Sequence, residues 1–329
     1  MTRTDIPEPA NPATAPPDVP PIELPVESLG KVGDRIFRGA SLGAGLLILV
    51  TLAAVALFLL SEAWPTFFAD PDEMRGGYTF VQYVGPLLFG TIWAAFLALV
   101  MAVPLAVAVA LFISHYAPRR LSVTIGYFVD LLAAIPSVVY GLWGIAVLAP
   151  ILSRSVFPWL EENLGFLPFF AGPASTSGRA MLTAAAVLAV MILPITTAIS
   201  REVFLQTPRL HEEASLALGA TKWEMIRQAV LPYGRSGVIS GAMLGLGRAL
   251  GETMAVAIIL SPADLISFNV ISNQNPNTIA SNIALKFPES AGLEVNRLIA
   301  TGLVLFAVTF AVNAFARRIA NAGFSGADG

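Results

Sequence analysis

Six long stretches almost free of charge decide what this chain can fold into. Gly39–Leu60, Pro86–Ile113, Ala180–Ser200 and Leu298–Ala316 carry no charged side chain; Leu121–Ile151 carries only Asp130, and Ser236–Pro262 only Arg248 and Glu252. A bilayer core about 30 Å thick is crossed by roughly 20 helical residues, so each stretch reaches or nearly reaches that length. Backbone groups in hydrocarbon must be satisfied internally, which leaves helices or closed barrels, and the alternation of a barrel strand is absent. Composition agrees: 12% of the residues are charged, against about 25% in soluble domains. The expected fold is therefore an all-α integral membrane protein with six transmembrane helices. With no cysteine there is no disulfide framework, the net charge of −3 gives no electrostatic footprint for nucleic acid, and two histidines, His115 and His211, are too few for a His-rich metal site.

Residues 1–35 differ from the rest. Eight prolines fall among the first 25 residues, interspersed with acids, a composition that cannot bury enough apolar surface to offset its ordering entropy. A disordered N-terminal segment is expected there, and the pattern of a signal peptide is absent. With six spans both termini share a side. That side collects thirteen basic residues; the other collects five (Arg75, Arg154, Arg179, Lys286 and Arg297), and Arg248 inside a span completes the 19. The bias places both termini, and the tail 321–329, in the cytoplasm. Outer loops then cover 62–85, 152–178 and 263–293. The middle one, with Phe157, Trp159, Phe166, Phe169 and Phe170, reads either as an interfacial aromatic belt or as a docking surface.

The connection 201–235 is the most informative segment. Thr207 is placed to cap a helix opening at Pro208, with Glu212 and Glu213 in its first half and Gly219 at its stop. Leu210, Ala214 and Ala217 share one face. Thr221 and Glu224 form a T-x-x-E capping box for a second helix bearing Trp223, Ile226 and Val230, which Pro232 is expected to end. Two capped helices over about 208–230 are more than a bare connection needs and suit insertion into a partner's groove.

Within the spans, Arg248 lies twelve residues beyond Ser236, about 18 Å along a helix and so near mid-bilayer. Glu252 follows at i+4, expected on the same face, and Asp130 is a third, shallower intramembrane charge. Each charge at depth costs at least ~2.5–3.5 kcal/mol on insertion scales, so each is expected to face protein or water. They read as a structural ion pair or as an anion site in which the guanidinium fork meets oxyanion oxygens. Gly237, Gly241 and Gly245 make a small-residue face for close helix contact, against a neighbouring helix or a partner subunit. Pro104 and Pro136 inside spans read as packing kinks or as breaks lining a pathway. Gly39-Ala40-Ser41-Leu42-Gly43 fits G-x-S-x-G but lacks the strand-turn context, and no P-loop or H-E-x-x-H pattern is present.

Glu213-Ala214-Ser215, Gly219 and Ala229-Val230-Leu231-Pro232 resemble the E-A-A-x3-G-x9-I-x-L-P motif of ABC importer permeases, with Ser215 for alanine and Ala229 for isoleucine. Residues Asp130–Gly144 and Gly247–Val256 resemble the third- and fifth-span signatures of phosphate-importer permeases of the PstC type. The resemblance covers roughly residues 35–320. It implies a type I ABC importer permease fold and a transport subunit rather than an enzyme. Glu213, Ala214, Ser215, Gly219, Ala220, Leu231 and Pro232 would couple to an ATPase, and Arg248, Glu252 and Asp130 would line the substrate pathway. The implied partners are a sister permease subunit (PstA-like), a cytoplasmic ATPase dimer (PstB-like) holding ATP and Mg, and an extracytoplasmic phosphate-binding protein (PstS-like). The chain itself would hold no cofactor, in the cell membrane of a prokaryote. A permease for another oxyanion or small solute, and an intramembrane enzyme built on Asp130, Glu252 or Arg248, are the alternatives.

Overall fold

A computed structural model describes residues 29–70, 72 and 77–322. It divides into two units, residues 1–55 and 56–329. Of the proline-rich head, residues 1–28 lie outside the described residues. Helix α1 (Leu29–Phe68) already begins at Leu29, earlier than the expected boundary at 35, because no proline after Pro25 interrupts the backbone ladder until Pro65. Of the expected tail, Asn321 and Ala322 close the last helix and the remainder is outside the described residues.

The order continues with α2 (Phe80–Leu111), α3 (Arg119–Ala133), α4 (Ser137–Trp143), α5 (Ala149–Ile151), α6 (Phe157–Leu164) and α7 (Met181–Leu205). Then follow α8 (Arg209–Ala217), α9 (Lys222–Met225), α10 (Leu231–Leu250), α11 (Met254–Ile259), α12 (Ile279–Lys286) and α13 (Leu293–Ala322). π-helical turns join α4, α5 and α6 into one rod, and another joins α9 to α10. The described strands β1 (Pro262–Ala263) and β2 (Asn275–Pro276) pair in parallel.

Five helical segments among the described residues are long and apolar enough to cross a bilayer: Gly33–Phe68, Phe80–Tyr116, Ser137–Leu164, Met181–Leu205 and Leu293–Ala316. Two of the six expected spans are not continuous. The stretch 121–151 splits at Ala134–Pro136. Pro136 has no N–H and disfavours helical backbone at Ile135, so it becomes the N-cap of α4. The Tyr140 hydroxyl donates to the freed Leu132 carbonyl at 2.8 Å. The apolar rod instead runs on to Leu164, so residues 152–164 are helix rather than outer loop. The stretch 236–262 breaks after Leu250, where Gly247 and Gly251 weaken the helix, and resumes at Met254.

Helix α7 is the centre of the second unit, packed by α2, α3 and α10. On α2, Ala94, Ala98, Ala102, Ala106 and Ala110 recur every fourth residue and are all buried, so the backbones approach closely, and Thr197 Oγ1 donates to Ala106 O. The glycine face of α10 does the same on the other side. A Cβ on Gly237 would lie 2.3 Å from Val203 Cγ2, one on Gly241 3.3 Å from Ile199 Cβ, and one on Gly245 3.1 Å from Thr196 Oγ1. The glycines therefore seat α10 on α7 of the same chain, not on a partner subunit. Gly237→Ala is expected to overpack against the stiff Val203 and cost about 1–3 kcal/mol, while Gly241→Ala is felt less. Thermal unfolding of the two purified variants in detergent checks the order; equal midpoints would contradict it.

The segments after α6 and after α11 are zipped together. Val270 N–H donates to Phe169 O, Leu182 N–H to Val270 O and Ser175 N–H to Ile271 O. Asn275, fully buried, accepts from Met181 N–H and donates to Arg179 O and Ser272 O. The aromatic loop residues divide: Phe157 is core, Phe169 stacks with Trp93, and Trp159 and Phe166 remain exposed.

Candidate functional site

The two broken stretches meet. Helix α4 packs on α11, and Gly141 permits it: a Cβ there would lie 2.8 Å from the Ala255 Cα, a backbone atom that cannot yield. One turn on, a Cβ on Gly144 would meet Val187 Cγ2 at 2.6 Å and Ile259 Cδ1 at 3.0 Å. Stretches 130–144 and 247–256, far apart in sequence, thus form one packed unit around two helix breaks.

Arg248 sits in the last turn of α10, where a cation complements the helix dipole. The residue is half-buried and lines a cavity of about 570 Å³ formed by α7, α10 and α13, with Ile195, Ser240, Met243, Leu244 and Asn313 among its walls. Among the described residues Arg248 makes no ion pair. Glu252 does not join it. The helix ends at Leu250, so the i+4 relation that would put both side chains on one face is lost. Glu252, 7% exposed, is engaged elsewhere: its Oε1 accepts the Ala255 N–H at 3.1 Å, in the first turn of α11. The expected ion pair is therefore replaced by a cationic cavity wall and a separate carboxylate that holds the helix break. Asp130 is exposed on α3, outside the apolar rod that begins at Ser137, and does not line this cavity.

On the other connection, α8 ends in two hydrogen bonds, Ala220 N–H to Ser215 O and Gly219 N–H to Leu216 O, with Gly219 at φ +88°. This is a Schellman stop, which needs a left-handed residue at that position. The Thr221–Glu224 capping box is formed. Hydrogen bonds from the Thr221 N–H and hydroxyl hold the Glu224 carboxyl below its ordinary pKa. Its contribution is accordingly present above the usual carboxylate range and is lost as pH falls through the lowered value.

Two expectations change here. The N-cap of α8 is Pro208 and Thr207 caps nothing, because the helix opens one residue later at Arg209 and Thr207 is turned inward. Pro232 does not end the second element. The π turn Ile226–Val230 widens the backbone just before it, so Lys222–Leu250 runs as one helix with Pro232 in the first turn of α10.

Leu210, Leu216, Leu218 and Trp223 are exposed on this hairpin, Leu218 at 91%. Glu213 and Ala214 are exposed with them; Ser215 is half-buried, its hydroxyl donating to Gln228 Oε1 at 3.3 Å. Ala220 and Leu231 are half-buried and Pro232 is exposed. The hairpin meets the π-helical turn Phe112–Tyr116 that continues α2: His115 Nε2 lies 3.6 Å from Glu212 Oε1, and Lys222 Nζ sits over the Tyr116 ring. Sequence reasoning missed both anchors, since nothing in the spacing of 115 and 212 pairs them. It also passed over Asn313, although a lone carboxamide in an otherwise uncharged apolar stretch was a visible signal.

The described residues thus combine several membrane-crossing helices, a half-buried arginine in the wall of a cavity, and a hairpin with exposed apolar side chains. The chain belongs to the family of binding-protein-dependent transport system inner membrane components, whose pattern matches residues 102–322. It is 46% identical over 309 residues to the phosphate transport system permease protein PstC 2 of Mycobacterium bovis, covering 89% of this chain and 94% of that one. It is 44% identical to PstC of Mycobacterium leprae over 89% of this chain and 95% of the relative. It is also 39% identical to PstC of Mesorhizobium japonicum over 86% and 89%. In fold it is similar to a chain of a bacterial ABC transporter that imports the acidic polysaccharide alginate, with TM-score 0.56, 15% identity, and 88% of this chain and 98% of that one covered.

Proposed function

We propose that this chain is the transmembrane permease subunit of an ATP-driven importer that carries inorganic phosphate into the cytoplasm. One observation carries the reading: Arg248, without an ion pair among the described residues, lines a cavity at a break in a membrane helix. A half-buried arginine in a membrane helix, with no carboxylate beside it among the described residues, is set to meet an anion. The fork fits other tetrahedral oxyanions equally; the PstC names of relatives at 39–46% identity favour phosphate. Family membership speaks against an intramembrane enzyme.

The exposed hairpin carrying Glu213, Ala214, Ser215 and Gly219 docks on a separate cytoplasmic ATPase dimer, which binds ATP and Mg. A sister permease completes the pathway, and a phosphate-binding protein delivers the substrate from outside. Phosphate uptake in cells lacking this chain, with and without its re-expression, tests the reading: unchanged uptake on deletion together with no gain on re-expression would sink it.

The basic-residue bias supports both termini on the cytoplasmic side of a prokaryotic cell membrane. Cysteines at Asn163 and Gln274, both exposed, are expected to react with a membrane-impermeant maleimide in intact cells, and one at Lys222 is not. Labelling of the Lys222 position would reverse the orientation.

A further inference from the structure

We infer that Asn313 on α13 is a second, neutral contact for the translocated anion, on the cytoplasmic side of Arg248. The inference rests on the phosphate-permease reading and adds a residue to its pathway. Helix α13 is apolar between Leu298 and Ala316 and carries no charge there. A carboxamide in such a span is costly unless it meets protein polar groups or water. Asn313 meets neither a side-chain nor a backbone hydrogen-bond partner among the described residues, and it lines the same cavity as Arg248. The remaining walls are apolar, except for Ser240, whose hydroxyl already donates to Ser236 O at 2.9 Å. Asn313 and Arg248 are thus the two side chains in this cavity with unspent donors.

Their order follows from the helices. Asn313 lies four residues before Arg317–Arg318, among the basic residues assigned to the cytoplasmic side, so about 6 Å of helix separates it from that surface. Helix α10 leaves the same side at Arg235, and Arg248, in its last turn, follows thirteen residues later, about 20 Å along the helix.

An arginine alone at depth would hold an anion too well. Passage requires binding strong enough to admit the ion and weak or divided enough to release it. A neutral carboxamide offers the next hydrogen bonds without a second full charge. It differs from arginine in one further respect: its Oδ1 accepts a hydrogen bond. Phosphate near neutral pH carries a P–OH proton to donate, whereas a fully deprotonated oxyanion such as sulfate does not, so this contact favours the protonated ion.

The test is radiolabelled phosphate uptake by Asn313→Asp, Asn313→Leu and Asn313→Ser, each expressed in cells deleted for the chain, at matched membrane levels. Asn313→Asp keeps shape and the acceptor but adds a negative charge. It is expected to fall furthest, Asn313→Leu to lose at least about tenfold, the worth of a hydrogen bond to a charged group, and Asn313→Ser to retain part of the rate. Asn313→Asp transporting as well as wild type, or better than Asn313→Leu, would assign the residue to packing and overturn the inference. If Asn313→Leu fails to reach the membrane, the isosteric Asn313→Asp decides alone. Loss of uptake in Arg248→Gln beside normal uptake in Asn313→Asp sinks only this inference; normal uptake in Arg248→Gln sinks the pathway reading itself.

Discussion

Arg248→Gln is expected to bring phosphate uptake to background while the chain reaches the membrane at its normal level. The substituted side chain keeps a donor and most of the volume, so the half-buried cavity wall is conserved. What disappears is the charge that offsets the dehydration of an anion inside the membrane. A charged hydrogen bond is worth about 1.5–3 kcal/mol even with water competing, and a desolvated anion without a counter-charge costs several kcal/mol, so a loss of at least about a hundredfold follows. Arg248→Lys is impaired as well, since an ammonium lacks the planar two-donor fork. Uptake of labelled phosphate at matched membrane levels measures both, and near-normal transport by Arg248→Gln would reduce the arginine to a packing residue. Glu252 behaves differently. Because its carboxylate accepts the Ala255 N–H in the first turn of α11 and does not pair with Arg248, Glu252→Gln, which keeps an acceptor oxygen, is milder than Glu252→Ala, which removes that acceptor.

Gly219→Pro is expected to abolish transport-coupled ATP hydrolysis and uptake while leaving the chain inserted. Proline locks φ near −65°, and the turn requires φ +88° at this position. Proline also deletes the N–H that donates to Leu216 O. The stop of α8 is lost, and with it the placement of Leu210, Glu213 and Leu218 relative to α10. Nothing lies within 4 Å of a Cβ built at Gly219, so the defect is conformational and not a clash. Gly219→Ala therefore costs only the left-handed strain, about 1–2 kcal/mol, and keeps partial coupling. ATPase activity stimulated by substrate in reconstituted vesicles reads the two variants apart. Full stimulation with Gly219→Pro would remove the hairpin from the coupling path.

Arg248 and Gly219 were both legible in the amino-acid sequence, for local reasons. A charge in an uncharged span, and a glycine between a helix stop and a T-x-x-E box, are anomalies of short-range pattern. The apolar stretches likewise announced helices, because hydrocarbon leaves the backbone no other partner. The pairing of Arg248 with Glu252 was not legible. It assumed an unbroken helix, and the assumption failed where one helix ends at Leu250 and the Glu252 carboxylate accepts a first-turn N–H of the next. For the same reason Pro136 became a helix start and Pro232 a tolerated first-turn residue. A proline's effect depends on the neighbouring turn and on which group takes up the freed carbonyl, here the Tyr140 hydroxyl.

The identity of contact surfaces also waited for the tertiary structure. Gly237, Gly241 and Gly245 declared a close contact, but only the positions of Val203, Ile199 and Thr196 showed that its other half is α7 of the same chain. Gly141 against Ala255 brought the two signature stretches together across more than a hundred residues. Sequence by itself determined the class of element, its apolar face and the local stops, because these follow from spacing and from each residue's own backbone preferences. Only packing decided which helices break, which glycine meets which helix and which polar side chains share a cavity, since these depend on atoms that approach one another in space and leave no period in the chain.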